Sequence, residues 1–118
     1  IKRETLMQAP AAVSGRTESL HRRWLREHFA LGEGDYPCHI IPESHALYAA
    51  ALAGMACAVV PQEQAWGALE SGDLLELSPE GGIAVPLYWQ RLARQSAAAE
   101  RVSAVIQQFA AEHFCREA

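Results

Sequence analysis

Apolar residues of the chain fall into two patterns that alternate along the first two thirds of the sequence. Short continuous apolar runs are typical of buried strands, and apolar residues spaced three to four positions apart are typical of amphipathic helices. The predicted strands are 11–14, 38–41, 55–60 and 74–77, and the predicted helices between them are 18–29, 45–53 and 63–70.

Turn-forming residues mark the ends of these predicted elements. Gly32 and Gly34 are expected to close the first helix, Ser44 to cap the second at its N-terminus, and Gly54 and Gly72 to end the second and third. The resulting order, strand-helix repeated three times and then a strand, predicts an α/β fold in which a parallel sheet is flanked by helices.

A different pattern follows residue 82. Residues 83–90 form an extended segment that contains Pro86, which suits an edge or crossing strand. A long amphipathic helix is predicted over 96–115, and because the preceding lobe is already complete, this helix needs another surface to cover. We therefore expect residues 1–82 to form one lobe and residues 83–118 to form a crossing strand and a long C-terminal helix.

Charge and cysteine content exclude several classes of protein. Residues 32–90 contain no Lys or Arg, so this stretch cannot neutralise nucleic-acid phosphates, and Arg22, Arg23 and Arg26 suit a solvated helix face. No apolar stretch approaches the ~20 residues of a membrane helix. Three cysteines are too few, and odd in number, for a disulfide framework, which predicts reduced thiols and a cytoplasmic location.

Candidate ligand contacts follow the first two predicted strands. In open α/β sheets, ligands bind at the carboxyl ends of strands, where helix N-termini offer free N–H groups. Hydroxyl, amide and carboxylate groups cluster after both strands, although Ser44 has the alternative role of capping its helix. The candidate ligand-binding residues are Ser14, Gly15, Thr17, Glu43, Ser44 and His45.

Metal and catalytic motifs are not evident in the sequence. The residues that could suggest zinc lack CxxC or HxxxH spacing, and the two cysteines lie in apolar strands, so neither a metal nor another cofactor is expected. No GxSxG, GxGxxG or P-loop pattern occurs, and an enzyme is not expected. His21 and His28, seven residues apart, are predicted to lie on a half-exposed helix face. The zinc candidates considered are Cys38, His39, His45 and Cys57.

Several short motifs match a known family. They are Ser44-x-x-Leu47, the run 49–55, Val60-Pro61, the segment 36–41, Leu69-x-Ser71-Gly72-x-Leu74 and the segment 86–89, with Leu20-His21 before them. The first three resemble the effector-domain signature of LysR-type transcriptional regulators. The others are similar to the branch that controls arginine and lysine export, also described as inhibitors of chromosome replication initiation. The resemblance extends from about residue 6 to residue 114.

The resemblance implies an architecture and a function. The chain would be a Rossmann-like second lobe of a periplasmic-binding-protein type II fold, with a crossing strand and helix that return to the first lobe. It implies a small-molecule effector such as arginine or lysine, a homodimer, and DNA contact only through an N-terminal domain that precedes this region. The chain departs from the branch at Gly15, where Asp is usual, and at His45, where an acidic residue is frequent. A solute-binding protein fragment is the main alternative, and an α/β enzyme lobe is a third.

Overall fold

The computed structural model describes residues 1–15, 20–77 and 81–114 of the chain. Helices and short strands alternate over the first half, and a long helix lies near the C-terminus. The elements are α1 (Arg3–Gln8), β1 (Ala11–Val13), α2 (Leu20–Phe29), β2 (Cys38–Ile40), α3 (Ser44–Leu52), α4 (Gln62–Ser71) and α5 (Ala97–His113).

Strand β1 is the centre of the sheet. All three of its residues are buried, and it pairs in parallel with β2, with Ala11 opposite Cys38. On its other side, Ala11 forms a parallel bridge with Cys57, where Ala12 N–H donates to the Cys57 carbonyl (2.9 Å) and Cys57 N–H donates to the Pro10 carbonyl (2.9 Å). A parallel arrangement with helical connections confirms the predicted α/β class.

The prediction of four strands, with 55–60 buried on both faces, is wrong in part. Residues 55–60 are half-buried or exposed and pair with β1 only around Cys57, so the described structure has a single bridge there instead of a strand. Residues 74–77 form no strand, because Leu74 N–H donates to the carbonyl of Ala68 (3.0 Å) and the chain folds back on the end of α4. Strand β2 is exposed along its length, as an outer strand with one paired edge.

The extended segment 83–90 is not a strand in the described structure. Pro86 has no N–H to donate to a ladder, and the side chains of Leu87 and Tyr88 are largely exposed. The predicted crossing strand therefore has no paired partner within residues 81–114.

A compact apolar cluster holds α1 and α2 against β1. The sequence pattern did not predict α1, yet its Leu6 is 2% exposed and contributes directly to this cluster. Burying an aliphatic side chain of this size stabilises a fold by roughly 1.5–3 kcal/mol, which explains why so short a helix is held in place. The cluster consists of Leu6, Ala11, Trp24, Leu25, Leu31 and Tyr36.

The end of α2 differs from the predicted closure at Gly32 and Gly34. Ala30 adopts a left-handed conformation (φ 53°), and Leu31 N–H donates to the carbonyl of Leu25 (3.2 Å), as in a Schellman motif. The helix ends before Gly32 because burial of Leu31 requires the chain to turn there. Gly72, at φ 83°, ends α4 as predicted.

The residues divide into two compact units, Ile1–Ala84 and Val85–Ala118. In the second unit the Ser96 hydroxyl caps α5 by accepting a hydrogen bond from Ala99 N–H (3.2 Å). The hydroxyl of buried Ser103 accepts hydrogen bonds from Trp89 Nε1 and Gln95 Nε2, both at 3.1 Å. These two hydrogen bonds hold the segment before α5 against the helix.

Helix α5 leaves an apolar stripe in solvent. The stripe consists of Val102, Val105, Ile106 and Phe109, which are 36–66% exposed. These residues recur at helical spacing, so they lie on one side of the helix.

Along the parts of the chain that the structure describes, no helix is long and apolar enough to cross a membrane.

Candidate functional site

Parallel pairing of β1 and β2 places the ends of both strands at one edge of the sheet. Beyond the last paired residues, Ile41 N–H donates to the carbonyl of Val13 (2.8 Å), so the pairing continues to the point where the chain leaves the sheet. Ser14 and Gly15 follow β1 directly, and Glu43 begins the turn into α3 after β2. The carboxyl edge of the sheet therefore carries both predicted groups of ligand contacts.

The N-terminus of α3 is capped by Glu43 and not by Ser44. The Glu43 carboxylate accepts hydrogen bonds from the N–H groups of His45 (2.9 Å) and Ala46 (2.7 Å), and Ser44 is the first residue of the helix. These two hydrogen bonds lower the pKa of the Glu43 carboxyl group. The predicted Ser44 cap is wrong, because the Glu43 side chain is long enough for its two carboxylate oxygens to accept hydrogen bonds from the free N–H groups of His45 and Ala46.

The predicted ligand contacts that the structure describes are accessible to solvent. Ser14, Glu43, Ser44 and His45 are exposed, and Gly15 is half-buried. Thr17 lies outside the described residues. The described part of the edge thus offers two hydroxyl groups, one fixed carboxylate and one imidazole to a small molecule.

Cysteine and histidine side chains do not form a metal site in the described residues. Cys38 and Cys57 lie on opposite sides of β1, each beside Ala11, so two strand spacings of about 4.8 Å separate their backbones. The Cys57 thiol donates to the carbonyl of Pro10 (3.3 Å), and burial raises its pKa. Across residues 1–15, 20–77 and 81–114, no three His, Cys, Asp or Glu side chains are placed to hold a metal ion.

Burial of His21 was missed by the sequence prediction of a half-exposed face. His21 is 3% exposed, and its ring packs edge-on against Trp24 and against Tyr36, at centroid distances of 5.8 and 6.1 Å. Neither ring nitrogen has a hydrogen-bond partner within the described residues, and burial lowers the pKa of His21 to about 4. His28, on the same helix, is exposed as expected. His21 is therefore a neutral core residue.

Comparison with known proteins gives a consistent set of relatives. No protein-family model matches the sequence. The chain is 35% identical over 103 residues to the HTH-type transcriptional regulator ArgP of Salmonella typhi and 32% identical over 103 residues to that of Proteus mirabilis. Each match covers 87% of this chain and 34–35% of the relative, so the chain spans about a third of the length of these curated relatives.

Solved structures give the same result for the fold. The C-terminal domains of a LysR family protein from Agrobacterium tumefaciens match 91% of this chain and 50% of that chain, with a TM-score of 0.72 and 29% identity. ArgP from Mycobacterium tuberculosis matches 92% of this chain and 37% of that chain, with a TM-score of 0.78 and 24% identity, which supports the fold alone. From these sequence and structural similarities together, the chain belongs to the LysR family of transcriptional regulators and corresponds to part of their C-terminal region.

Proposed function

We propose that the chain is the effector-sensing second lobe of a LysR-type transcriptional regulator and that a small molecule binds at the carboxyl edge of β1 and β2. The observation that carries this proposal is the parallel register of the two strands, which brings Ser14 and Gly15 to the same edge as the residues that open α3. Exposed polar groups at such an edge are the usual setting for ligand binding in open α/β sheets.

Charge at this edge favours an effector with a cationic group, such as arginine or lysine. The Glu43 carboxylate is held in place by two amides, and its lowered pKa keeps it ionised. Because residues 32–90 carry no Lys or Arg, no cation from that stretch competes for this carboxylate. A guanidinium or ammonium group of the effector would pair with Glu43 through charge-assisted hydrogen bonds.

The carboxylate of an amino-acid effector needs other donors. Glu43 already occupies the N–H groups of His45 and Ala46, so the effector carboxylate would bind the hydroxyl groups of Ser14 and Ser44. Gly15, Thr17 and the His45 side chain complete the proposed set, with Thr17 included on sequence grounds. In this arrangement the cationic end of the effector would lie at Glu43 and its carboxylate at the hydroxyl groups of Ser14 and Ser44.

The second unit supports a two-lobed parent domain. Leaving the apolar stripe of α5 in water forgoes roughly 1.5–3 kcal/mol for each side chain that could be fully buried. In the proposed parent, of the periplasmic-binding-protein type, residues 83–118 return to a first lobe that covers this stripe. Effector binding between the lobes would shift the populations of their arrangements in a cytoplasmic dimer, and DNA would be bound by a separate N-terminal domain.

A solute-binding protein shares this architecture and remains the alternative function. The curated relatives described above are named as transcriptional regulators, which favours the regulator and gives no support to an enzyme.

Titration calorimetry on the intact regulator tests the proposed site. L-arginine or L-lysine should bind, whereas L-norleucine, which lacks the terminal cation, should bind at least about tenfold more weakly. Glu43→Gln should weaken binding about threefold to tenfold, because it removes the charge that pairs with the effector. Glu63→Gln is the matched control, since Glu63 is an exposed acid in the first turn of α4. Equal affinities of the two variants, or no binding of either basic amino acid, would refute the proposal.

A further inference from the structure

A cavity of about 100 Å³ lies between the end of α2 and the loop that leads into β2. This loop precedes β2, so the cavity is at the amino edge of the sheet, opposite the edge proposed for the effector. It shares no residue with the proposed effector site. Its walls are formed by Arg22, Arg26, Leu31, Gly32, Glu33 and Tyr36.

The walls of the cavity are held by packing and hydrogen bonds. Leu31 and Tyr36 are both buried members of the apolar cluster. Gly32 N–H donates to a carboxylate oxygen of Asp35 (2.7 Å), and Asp35 N–H donates to the Gly32 carbonyl (3.2 Å), which closes a tight turn. The shape of the cavity is therefore set before any ligand arrives, so a ligand would bind with little cost of ordering the loop.

Two arginines line this cavity from successive turns of α2. Arg22 and Arg26 are four residues apart, a spacing at which like charges repel. Arg22 pairs with Glu33 at 3.0 Å, and the Glu33 side chain is 75% exposed, so water competes strongly for that carboxylate. Within the described residues, Arg26 has no ion pair, and the Asp35 carboxylate is engaged by Gly32 N–H.

Placement of Arg26 in the last turn of α2 is also favourable for the helix dipole. That effect accounts for one arginine near the carbonyl end of the helix. It does not account for a second arginine on the same side or for a preformed cavity between the two arginines and a tyrosine. Burial raises the pKa of Tyr36, so its hydroxyl keeps its proton and is a hydrogen-bond donor.

We propose that this cavity binds a small oxyanion of the carboxylate or phosphate class, which bridges Arg22 and Arg26 in place of the Glu33 carboxylate. The cavity, of about 100 Å³, has room for a phosphate or carboxylate group between the two arginines. Guanidinium groups bind such oxyanions through paired, charge-assisted hydrogen bonds. The site would make the lobe responsive to an anionic metabolite independently of the effector.

Amide NMR spectra of the full chain at low ionic strength test this site. Inorganic phosphate and acetate are titrated separately, and the backbone amides of Gly32 and Tyr36 are followed. Saturable shifts with phosphate only, with acetate only, or with both would support the site and identify the anion class. The absence of saturable shifts with either anion would overturn the proposal.

Three variants separate this cavity from general attraction of anions to a basic helix. Arg26→Gln should weaken binding about fivefold, and Glu33→Gln should strengthen it about twofold, because it removes a carboxylate that competes with the anion for Arg22. Arg23→Gln is the matched control: it removes the same charge from the same helix at an exposed residue that pairs with Glu27 and does not line the cavity. Equal losses of affinity in Arg23→Gln and Arg26→Gln would overturn the proposal. The Glu33 side chain is largely exposed, so Glu33→Gln should leave the fold intact. Its effect on anion binding can therefore be measured without a change in the core.

Discussion

His21 should make the stability of the chain fall between pH 7 and pH 5. The ring is 3% exposed, and its pKa is about 4 in the folded chain against 6.5 for an unperturbed histidine. Above about pH 6.5 neither the folded nor the unfolded chain binds a proton at His21. As the pH falls below that value, the unfolded chain binds a proton that the folded chain excludes, so the free energy of unfolding decreases.

The size of this effect follows from the separation of the two pKa values. Each pH unit between them costs about 1.4 kcal/mol, so the loss from His21 reaches about 2 kcal/mol at pH 5. The loss should level off below about pH 4, where the folded chain also takes up the proton. Glu27 and Glu43 have pKa values below 4.5, so the stability that they contribute is lost only at pH values below 4.5. The pH range above 5 therefore isolates histidine.

Urea unfolding followed by circular dichroism at pH 7 and pH 5 measures the effect. His21→Phe keeps an aromatic ring against Trp24 and Tyr36 but cannot titrate, so it should lose most of the pH dependence. His28→Phe, at an exposed position of the same helix, is the matched control and should keep the wild-type pH dependence. If wild type and His21→Phe lose the same free energy between the two pH values, His21 is not a desolvated neutral residue and the reasoning is refuted.

Three further predictions concern local conformation and association. Ala30→Gly should stabilise the chain by about 0.5 kcal/mol, because glycine relieves the strain of the left-handed backbone at this position. Ala49→Gly, in the exposed middle of α3, should destabilise the chain by about 1 kcal/mol. Thermal unfolding of both variants measures these changes, and a change of the same sign in both would contradict the prediction. Glu43→Ala should lower the thermal midpoint more than Ser44→Ala does, because only Glu43 caps α3, and the reverse order in the same assay would restore Ser44 as the cap. The apolar stripe of α5 should cause the chain to self-associate, and Phe109→Asp should weaken that association. Light scattering measures the mass in solution, and a stable monomer near 12.9 kDa for the unmodified chain would be evidence against self-association.

Helices α3, α4 and α5 could be predicted from the sequence to within two residues at each end that the structure describes. Their boundaries depend on neighbours along the chain, such as the αL glycine Gly72 and the Ser96 hydroxyl that caps α5. Interactions of this kind span only three or four residues, so they can be recognised in a linear pattern. The choice between Glu43 and Ser44 as the α3 cap was missed because both residues suit the site locally, and the reach of the side chain decides between them.

The candidate site could also be predicted only in part. The order of strands and helices was enough to place Ser14 and Glu43 at a common sheet edge, because parallel strands with helical connections have their carboxyl ends on the same side. Occupation of the α3 amides by Glu43 could not be predicted, since it depends on the path of the turn after β2.

Whether an apolar run becomes a paired strand was decided only by the tertiary structure. The runs 11–14 and 74–77 each contain three apolar residues and one polar residue, yet the first is the buried centre of the sheet and the second has Leu75 82% exposed. Burial of His21 was likewise decided by the tertiary structure, because the loop after α2 brings the Tyr36 ring to 6.1 Å from the His21 ring. Helix formation depends on hydrogen bonds within one segment, and local sequence determines it. Strand pairing and side-chain burial require partners that are distant in sequence, and those partners are known only when the chain has folded.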